Sequence, residues 1–320
     1  MRILFAGSPP LAIPSLESVR AQHEVAAVLT NPDRPAGRRA EPAPTPVKVR
    51  ALQLGLRLLQ PSRLDEKLGE EVKALGCELL VVVAFGRIFP GEFLELFPRG
   101  GINVHPSLLP RHRGPSPIPA AILAGDRETG VTVQRLAARM DSGDILKAGR
   151  LPLSGTETTG SLTTVLADLG AQLLVQTLAE VEQGRERGTP QAEAEATYCR
   201  LVRKQDGRIP WDREAGHIER LIRAYHPWPG AFTTYRGQVL HLLEAGVCPL
   251  PPPTEAGAQG AGAQGLVFGT DNRYGILVRA GQGVVGVTRL QLQAKKPMDW
   301  RSFLNGRKDF VGSQLGVDDD

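Results

Sequence analysis

Three side chains of this sequence could perform metal-free acyl chemistry together: Asn103, His105 and Asp141. Asn103 and His105 stand two residues apart in Gly101–His105, and the carboxylate follows in the turn Asp141-Ser142-Gly143-Asp144. An amide donates without carrying charge, and an imidazole donates or takes a proton. A carboxylate can orient the imidazole, raise its basicity and accept a proton directly or through water. Each donor to a tetrahedral oxyanion is worth about 3–4 kcal/mol. No Ser or Cys stands beside His105 as a triad nucleophile would; Ser107 is two residues on, and local sequence does not place it. The set reads as a site for direct attack of an external nucleophile on a bound acyl donor. Taken singly, each residue has an ordinary role, in loop satisfaction, packing or turn formation. What joins them is their place at predicted strand ends on one edge of one sheet.

The strand that must deliver Asn103 and His105 is Gly101–His105, whose period of two puts both on one face. Ahead of it, Arg2–Ala6, a helical pattern to Arg20, and Glu24–Thr30 form a βαβ opening, the mark of a parallel sheet. It has no GxGxxG, so the dinucleotide fingerprint is absent. Val47–Leu54 and Leu64–Ala74 read as helices, with a short strand at Leu56–Leu59. Glu78–Phe85 is a continuous β-branched run, expected as a central strand buried on both faces. Ligands in such sheets sit beyond the strands' carboxyl ends, so Phe85, Gly86 and Ile88 are expected as pocket wall. Downstream, Ile118–Ala124 reads as helix, and Gly130–Leu136 and Ile145–Leu153 as strands. Thr158–Gln183 reads as a long amphipathic helix with Leu162, Val165, Leu166, Leu169, Leu173, Val175 and Leu178 inward. Asn31–Pro46 is expected as a structureless Pro-rich loop; such length points to function, and Arg34, Arg38 and Arg39 could grip phosphates.

After Gln183 the pattern changes. Glu182–Arg208 is polar and aperiodic, the best linker candidate. A helix at His217–Tyr225 precedes short strands at Ala231–Tyr235, Val239–Leu243, Gly265–Val267, Gly275–Val278 and Val284–Gln291, spaced as in a small antiparallel barrel. Leu250–Gln264 is low-complexity, and Met298–Phe310 reads as a closing helix. The 320 residues are thus expected as a catalytic domain (1–184), a linker (185–205), a second domain (206–312) and an acidic tail (313–320).

Charge follows this division. Residues 1–200 carry 23 Lys/Arg against 22 Asp/Glu, whereas residues 201–317 carry 15 against 9, which suggests a polyanion partner for the second half. No run of about 18 apolar residues appears and the N-terminus lacks a signal-peptide pattern, so no membrane and a cytoplasmic location are expected. Cys77, Cys199 and Cys248 form no CxxC pair, which argues against a disulfide framework or a zinc site. No metal is expected.

The stretches INVHPSLLPRHRG, GDRETGVTV and MDSGDIL, at this spacing, resemble the formyltransferases that use 10-formyltetrahydrofolate. MRILFAGSP, TNPDRPAGR, PTPVKVRA, VVVAFGRI, RIPWD, IRAYHPWPGA and LNGRKDF extend the resemblance over nearly the whole chain, to the branch that acts on methionyl-tRNA. The resemblance implies a Rossmann-like, mostly parallel α/β domain followed by an OB-like β-barrel that contacts tRNA. It implies formyl transfer to the α-amino group of methionyl initiator tRNA by a monomer. By carry-over Asn103, His105 and Asp141 match catalytic positions, Ser107, Leu108, Leu109 and Pro110 match the folate-contacting segment, and Arg38 matches a loop residue that enters the acceptor stem. Two positions depart from the pattern. Arg39-Ala40-Glu41-Pro42 follows Arg38 where the family often has Gly and two lysines, and Pro106 follows His105 where many relatives have Gly. Competing readings are glycinamide ribonucleotide transformylase, against which residues 206–312 speak, and a sugar-nucleotide formyltransferase, expected to lack the NPDRPAGR loop. A non-catalytic RNA-binding protein is disfavoured by the intact Asn-His-Asp set.

Overall fold

The computed structural model describes residues 1–36, 41–249 and 263–317 of the chain. They divide into two compact units. The first comprises Met1–Ile118, Arg127–Leu153 and Ser161–Leu201; the second takes Pro119–Asp126, Ser154–Gly160 and the chain from Val202 onward.

Among the described residues nine strands precede Ser154: β1 (Arg2–Gly7), β2 (Glu24–Leu29), β3 (Arg34–Ala36), β4 (Glu41–Ala43), β5 (Leu58–Leu59), β6 (Leu79–Val83), β7 (Gly101–His105), β8 (Glu128–Arg135) and β9 (Ile145–Pro152). Seven form one sheet in the order β5-β2-β1-β6-β7-β8-β9. Pairing is parallel from β5 through β7 and antiparallel for β8 and β9, giving a Rossmann-like, mostly parallel sheet. The run Leu79–Val83 is buried at every residue, as a central strand must be when both faces are covered. β9 alternates toward solvent, as an antiparallel edge strand does.

Helices α1 (Ile13–Gln22), α2 (Pro46–Gln53), α3 (Glu66–Ala74), α4 (Gly91–Leu94) and α5 (Pro117–Ala124) lie between these strands, and α6 (Thr159–Glu182) follows β9. Their starts are written locally: the Thr45 hydroxyl accepts the Lys48 N–H at 3.1 Å ahead of α2, and Asp65 accepts the Leu68 N–H at 3.1 Å ahead of α3. Phe85, Phe89 and Phe93 stack at centroid distances of 5.3 and 5.2 Å, within a core that also holds Leu4, Leu80, Val82 and Phe97. α6 is long and apolar enough to cross a bilayer by composition alone, but Leu162, Leu166, Leu173, Leu174, Leu178 and Val181 are buried in the protein. Its expected inward stripe needs one correction. Val165 is 46% exposed, and small residues, Ala167, Gly170 and Ala171, take inward places instead.

The expected structureless loop 31–46 is a hairpin in its described part. Arg34 pairs with Ala43, Pro35 with Pro42 and Ala36 with Glu41. Because proline has no N–H, the facing Pro35 and Pro42 fit only a non-hydrogen-bonded pair, where the ladder donors come from the flanking pairs. The root is fixed by side chains: Lys48 donates to Asp33 at 2.7 Å, and Gln60 Nε2 donates to Asp33 Oδ1 at 2.9 Å and to the Asn31 carbonyl at 3.0 Å.

In the second unit β10 (Ala231–Tyr235), β11 (Gln238–Cys248), β12 (Val267–Asp271), β13 (Gly275–Arg279), β14 (Val284–Leu292) and β15 (Met298–Asp299) form an antiparallel sheet in the order β10-β11-β14-β13-β12, with β15 on β14. Register shifts between Leu242 and Ala245 mark bulges in β11, which increase twist. α7 (Ala215–Ala224) buries Ile218, Leu221 and Ile222. The expected helix 298–310 is shorter, α8 spanning Trp300–Asn305. Gly306 ends it, because glycine is a poor helix former, and Phe310 still packs edge-on to Phe303 at 5.0 Å. β12 starts at Val267, later than expected, and residues 250–262 of the low-complexity stretch lie outside the described residues.

Candidate active site

β7 delivers Asn103 and His105 to one face, as the strand period requires, and the turn after β8 brings Asp141 to them. Asn103 Nδ2 donates to Asp141 Oδ1 at 3.2 Å. Gln134 Nε2 donates to the same oxygen at 3.0 Å, and the Gly114 N–H donates to Oδ2 at 2.8 Å. Three donors thus hold a carboxylate whose side chain is 11% exposed. Asn103 makes no other side-chain hydrogen bond among the described residues, so its second Nδ2 hydrogen is free to meet a ligand.

His105 is 4% exposed, and its Nε2 lies 2.9 Å from the His112 carbonyl oxygen. Asp141 Oδ1 is 3.6 Å from Nδ1, beyond hydrogen-bond length. The expectation that Asp141 orients the imidazole is therefore corrected: the His112 carbonyl holds the ring, and Asp141 faces its other nitrogen as a charge. Burial pushes the His105 pKa below its ordinary value, against the raising effects of Asp141 and of the His112 carbonyl.

The backbone here is bent to suit. Asp141 and His112 both adopt left-handed conformations, with φ of 51° and 57°. A Cβ on Gly143 would lie 1.9 Å from the Arg135 carbonyl oxygen, and one on Gly114 would lie 2.2 Å from that of Cys199. Glycine at these two positions is a requirement of close approach.

The other expected residues fall into distinct places. Ser107 is fully buried, and its hydroxyl donates to the Arg111 carbonyl at 2.7 Å, so it ties a turn. Leu109 is buried, its N–H donating to Thr132 Oγ1 at 3.1 Å, while Leu108 and Pro110 are half-buried. Phe85 belongs to the phenylalanine stack, and its carbonyl accepts from Asn31 Nδ2 at 2.6 Å. Gly86 is exposed and Ile88 is 67% exposed. Arg34 is exposed at the start of β3, and Arg38 and Arg39 lie outside the described residues.

Several contributors were missed from sequence. Gln134 sits directly across from Asn103 in the β7–β8 register and is 1% exposed. A polar residue inside the β-branched run Val131-Thr132-Val133-Gln134 was its signal. Residues 189–199 fall within the expected linker, yet they lie with the first unit, where Gln191, Glu193, Thr197 and Tyr198 bond to the segment 112–114 or to the Asp141 turn. Nothing in their aperiodic composition announced this. Two surface grooves, lined by Pro14, Glu17, Asp168 and Gln172 and by Leu58, Arg63, Asp65 and Glu71, include none of the Asp141 cluster.

With this geometry in place, the likenesses to known proteins can be read. Residues 1–178 match the family described as formyl transferase, and residues 201–308 match the formyl transferase C-terminal domain. A methionyl-tRNA formyltransferase of Treponema denticola is 43% identical over 97% of this chain and 98% of its own length. Among solved structures, HypX from Aquifex aeolicus in complex with tetrahydrofolic acid superposes with a TM-score of 0.63 at 19% identity, over 97% of this chain and 48% of HypX. The sugar 3N-formyl transferase WlaRD superposes with a TM-score of 0.66 at 16% identity, over 92% of this chain and 99% of that one. At such identities both structures speak for the fold alone.

Proposed function

The chain belongs to the methionyl-tRNA formyltransferases, and from that membership we propose that its donor is 10-formyltetrahydrofolate and that Asn103, His105 and Asp141 carry the transfer. It formylates the α-amino group of methionyl initiator tRNA, giving formylmethionyl-tRNA for translation initiation. The single observation that carries the residue assignment is the Asp141 carboxylate, held by Asn103, Gln134 and Gly114 with the His105 Nδ1 lone pair beside it.

The neutral methionyl amine attacks the formyl carbon. Asn103 donates its free Nδ2 hydrogen to the oxyanion that forms. The Asp141–His105 pair takes the amine proton; on Nδ1 it makes an imidazolium facing Asp141 Oδ1, and Nδ1–H is then a second donor. As the bond between the formyl carbon and N10 breaks, the pair returns that proton to N10. The pair thus ends as it began.

Ser107–Pro110 and the exposed corner Gly86–Ile88 would receive the folate. Ser107, buried with its hydroxyl, N–H and carbonyl all bonded within the protein, would shape this segment from beneath, and Phe85 would back the corner from the core. Arg34, Arg38 and Arg39 would meet the tRNA, together with the second domain, 206–312. In the second unit Arg301 lies over Trp300 at 4.4 Å and Arg273 over Tyr274 at 5.3 Å, flat cations suited to phosphate and base stacking. The test is to incubate the chain with 10-formyltetrahydrofolate and methionyl initiator tRNA and to look for formylmethionine, with elongator methionyl-tRNA in parallel. Formylmethionine on the initiator is expected; its absence, with formylation of a nucleotide-linked amino sugar instead, would overturn the reading.

A further inference from the structure

We infer that Gln191 is a positioning residue for Asp141, acting through the hydrogens of its side-chain amide. This rests on the role given to Asp141 above. Gln191 Nε2 faces three oxygens of the site: the Asp141 carbonyl at 2.9 Å, the Gly143 carbonyl at 2.7 Å and Gln134 Oε1 at 3.2 Å. Gln191 Oε1 accepts from Arg113 Nε at 3.0 Å. The amide can point only this way, because a flip would set its oxygen against three acceptors and its hydrogens against a guanidinium.

Each partner leads to the carboxylate. Gln134 is the side chain that donates to Asp141 Oδ1. The carbonyls of Asp141 and Gly143 belong to the turn that carries Asp141 in its left-handed conformation, and Gln191 ties both to one donor. Arg113 is 1% exposed and is bound by Glu193 at 2.8 Å and Tyr198 at 3.0 Å. Its two chain neighbours supply the His112 carbonyl to His105 and the Gly114 N–H to Asp141. One amide therefore links the acid-holding glutamine, the strained turn and the segment that grips the imidazole. Gln191 touches no reacting atom, so its effect should fall on how well Asp141 is aimed. Misplacement of a reacting group by about 1 Å costs about 100-fold in rate.

The test compares Gln191→Met with Gln191→Glu. Methionine keeps the volume and brings no charge, while glutamate keeps the acceptor for Arg113 and loses the hydrogens. Single-turnover formylation of methionyl initiator tRNA, KM for tRNA and for donor, and melting temperature are measured for each. Expected is a fall in the chemical rate of about 100-fold in both variants, KM values within twofold of wild type, and Gln191→Glu no better than Gln191→Met. A Gln191→Met protein that melts as wild type and keeps the wild-type rate would overturn the inference, as would a change confined to KM. Wild-type formation of formylmethionine separates the two layers. With it, wild-type chemical rates in the variants sink the Gln191 role alone; without it, the functional reading fails first.

Discussion

A carbonyl oxygen accepts and never donates, so the 2.9 Å contact between His105 Nε2 and the His112 oxygen fixes the neutral imidazole as its Nε2–H form. The Nδ1 lone pair then faces Asp141, and a proton arriving there is stabilised by the carboxylate 3.6 Å away. Replacing Asp141 by Asn keeps the size of the side chain but removes the charge that stabilises a proton on His105 Nδ1. The single-turnover rate should fall about 1,000-fold while tRNA affinity stays within twofold, read by rapid quench and filter binding. An unchanged rate would remove Asp141 from the mechanism. Gly114 gives a second prediction of a different kind. Its φ of 117° and the 2.2 Å approach of a Cβ to the Cys199 oxygen leave alanine no place. Gly114→Ala should cost at least about 1–3 kcal/mol in urea unfolding and, by moving the N–H that holds Asp141, lower the rate as well. Retention of wild-type stability would show that the segment gives way freely.

Among the elements, those whose signal is local were legible. Gly101–His105 occupies the residues its pattern indicated, with Asn103 and His105 on one face, and the buried run at Leu79–Val83 is the central strand it resembled. The site's supports were less legible because they are long-range. Gln134 is a buried polar residue in a strand and could have been read, whereas Gln191 reaches its partners from an aperiodic segment remote in sequence. The β3–β4 hairpin was hidden for another reason: proline suppresses the strand signal, although prolines opposed at a non-hydrogen-bonded pair leave the ladder intact. Its root makes a prediction. Asp33 joins Lys48 and Gln60 beneath the strand that bears Arg34, so Asp33→Ala should loosen the hairpin without touching the Asp141 cluster. Steady-state kinetics should show KM for tRNA raised severalfold and kcat unchanged, since ordering would then have to occur on binding. A loss of kcat with constant KM would mean that the hairpin serves the chemistry instead.

For the whole molecule, ionisation in the two units sets one pH profile of stability. His23 and His105 in the first unit, and His217 and His241 in the second, all have pKa values lowered chiefly by burial. An unfolded chain titrates its histidines near pH 6.5. Between that value and the lowered folded values the unfolded state binds more protons, so stability rises with pH through that window and is lost as pH falls through it. A second window lies lower. The backbone and hydroxyl donors of Ser154 and the N–H of Gly155 hold Glu157, taking its pKa to about 2 in spite of the opposing effect of burial, and Asp33, Glu78, Glu182 and Glu193 are also lowered. Their contribution is present above about pH 4.5 and disappears as pH falls toward about 2. Urea midpoints measured from pH 8 to pH 3 should therefore be flat above about 6.5 and then descend in two steps. His241→Gln should shallow the upper step and leave the lower one in place, because its shift comes from burial and Lys204 and involves no carboxylate. A single descent beginning only below pH 4.5 would show that these histidines do not resist protonation in the folded chain.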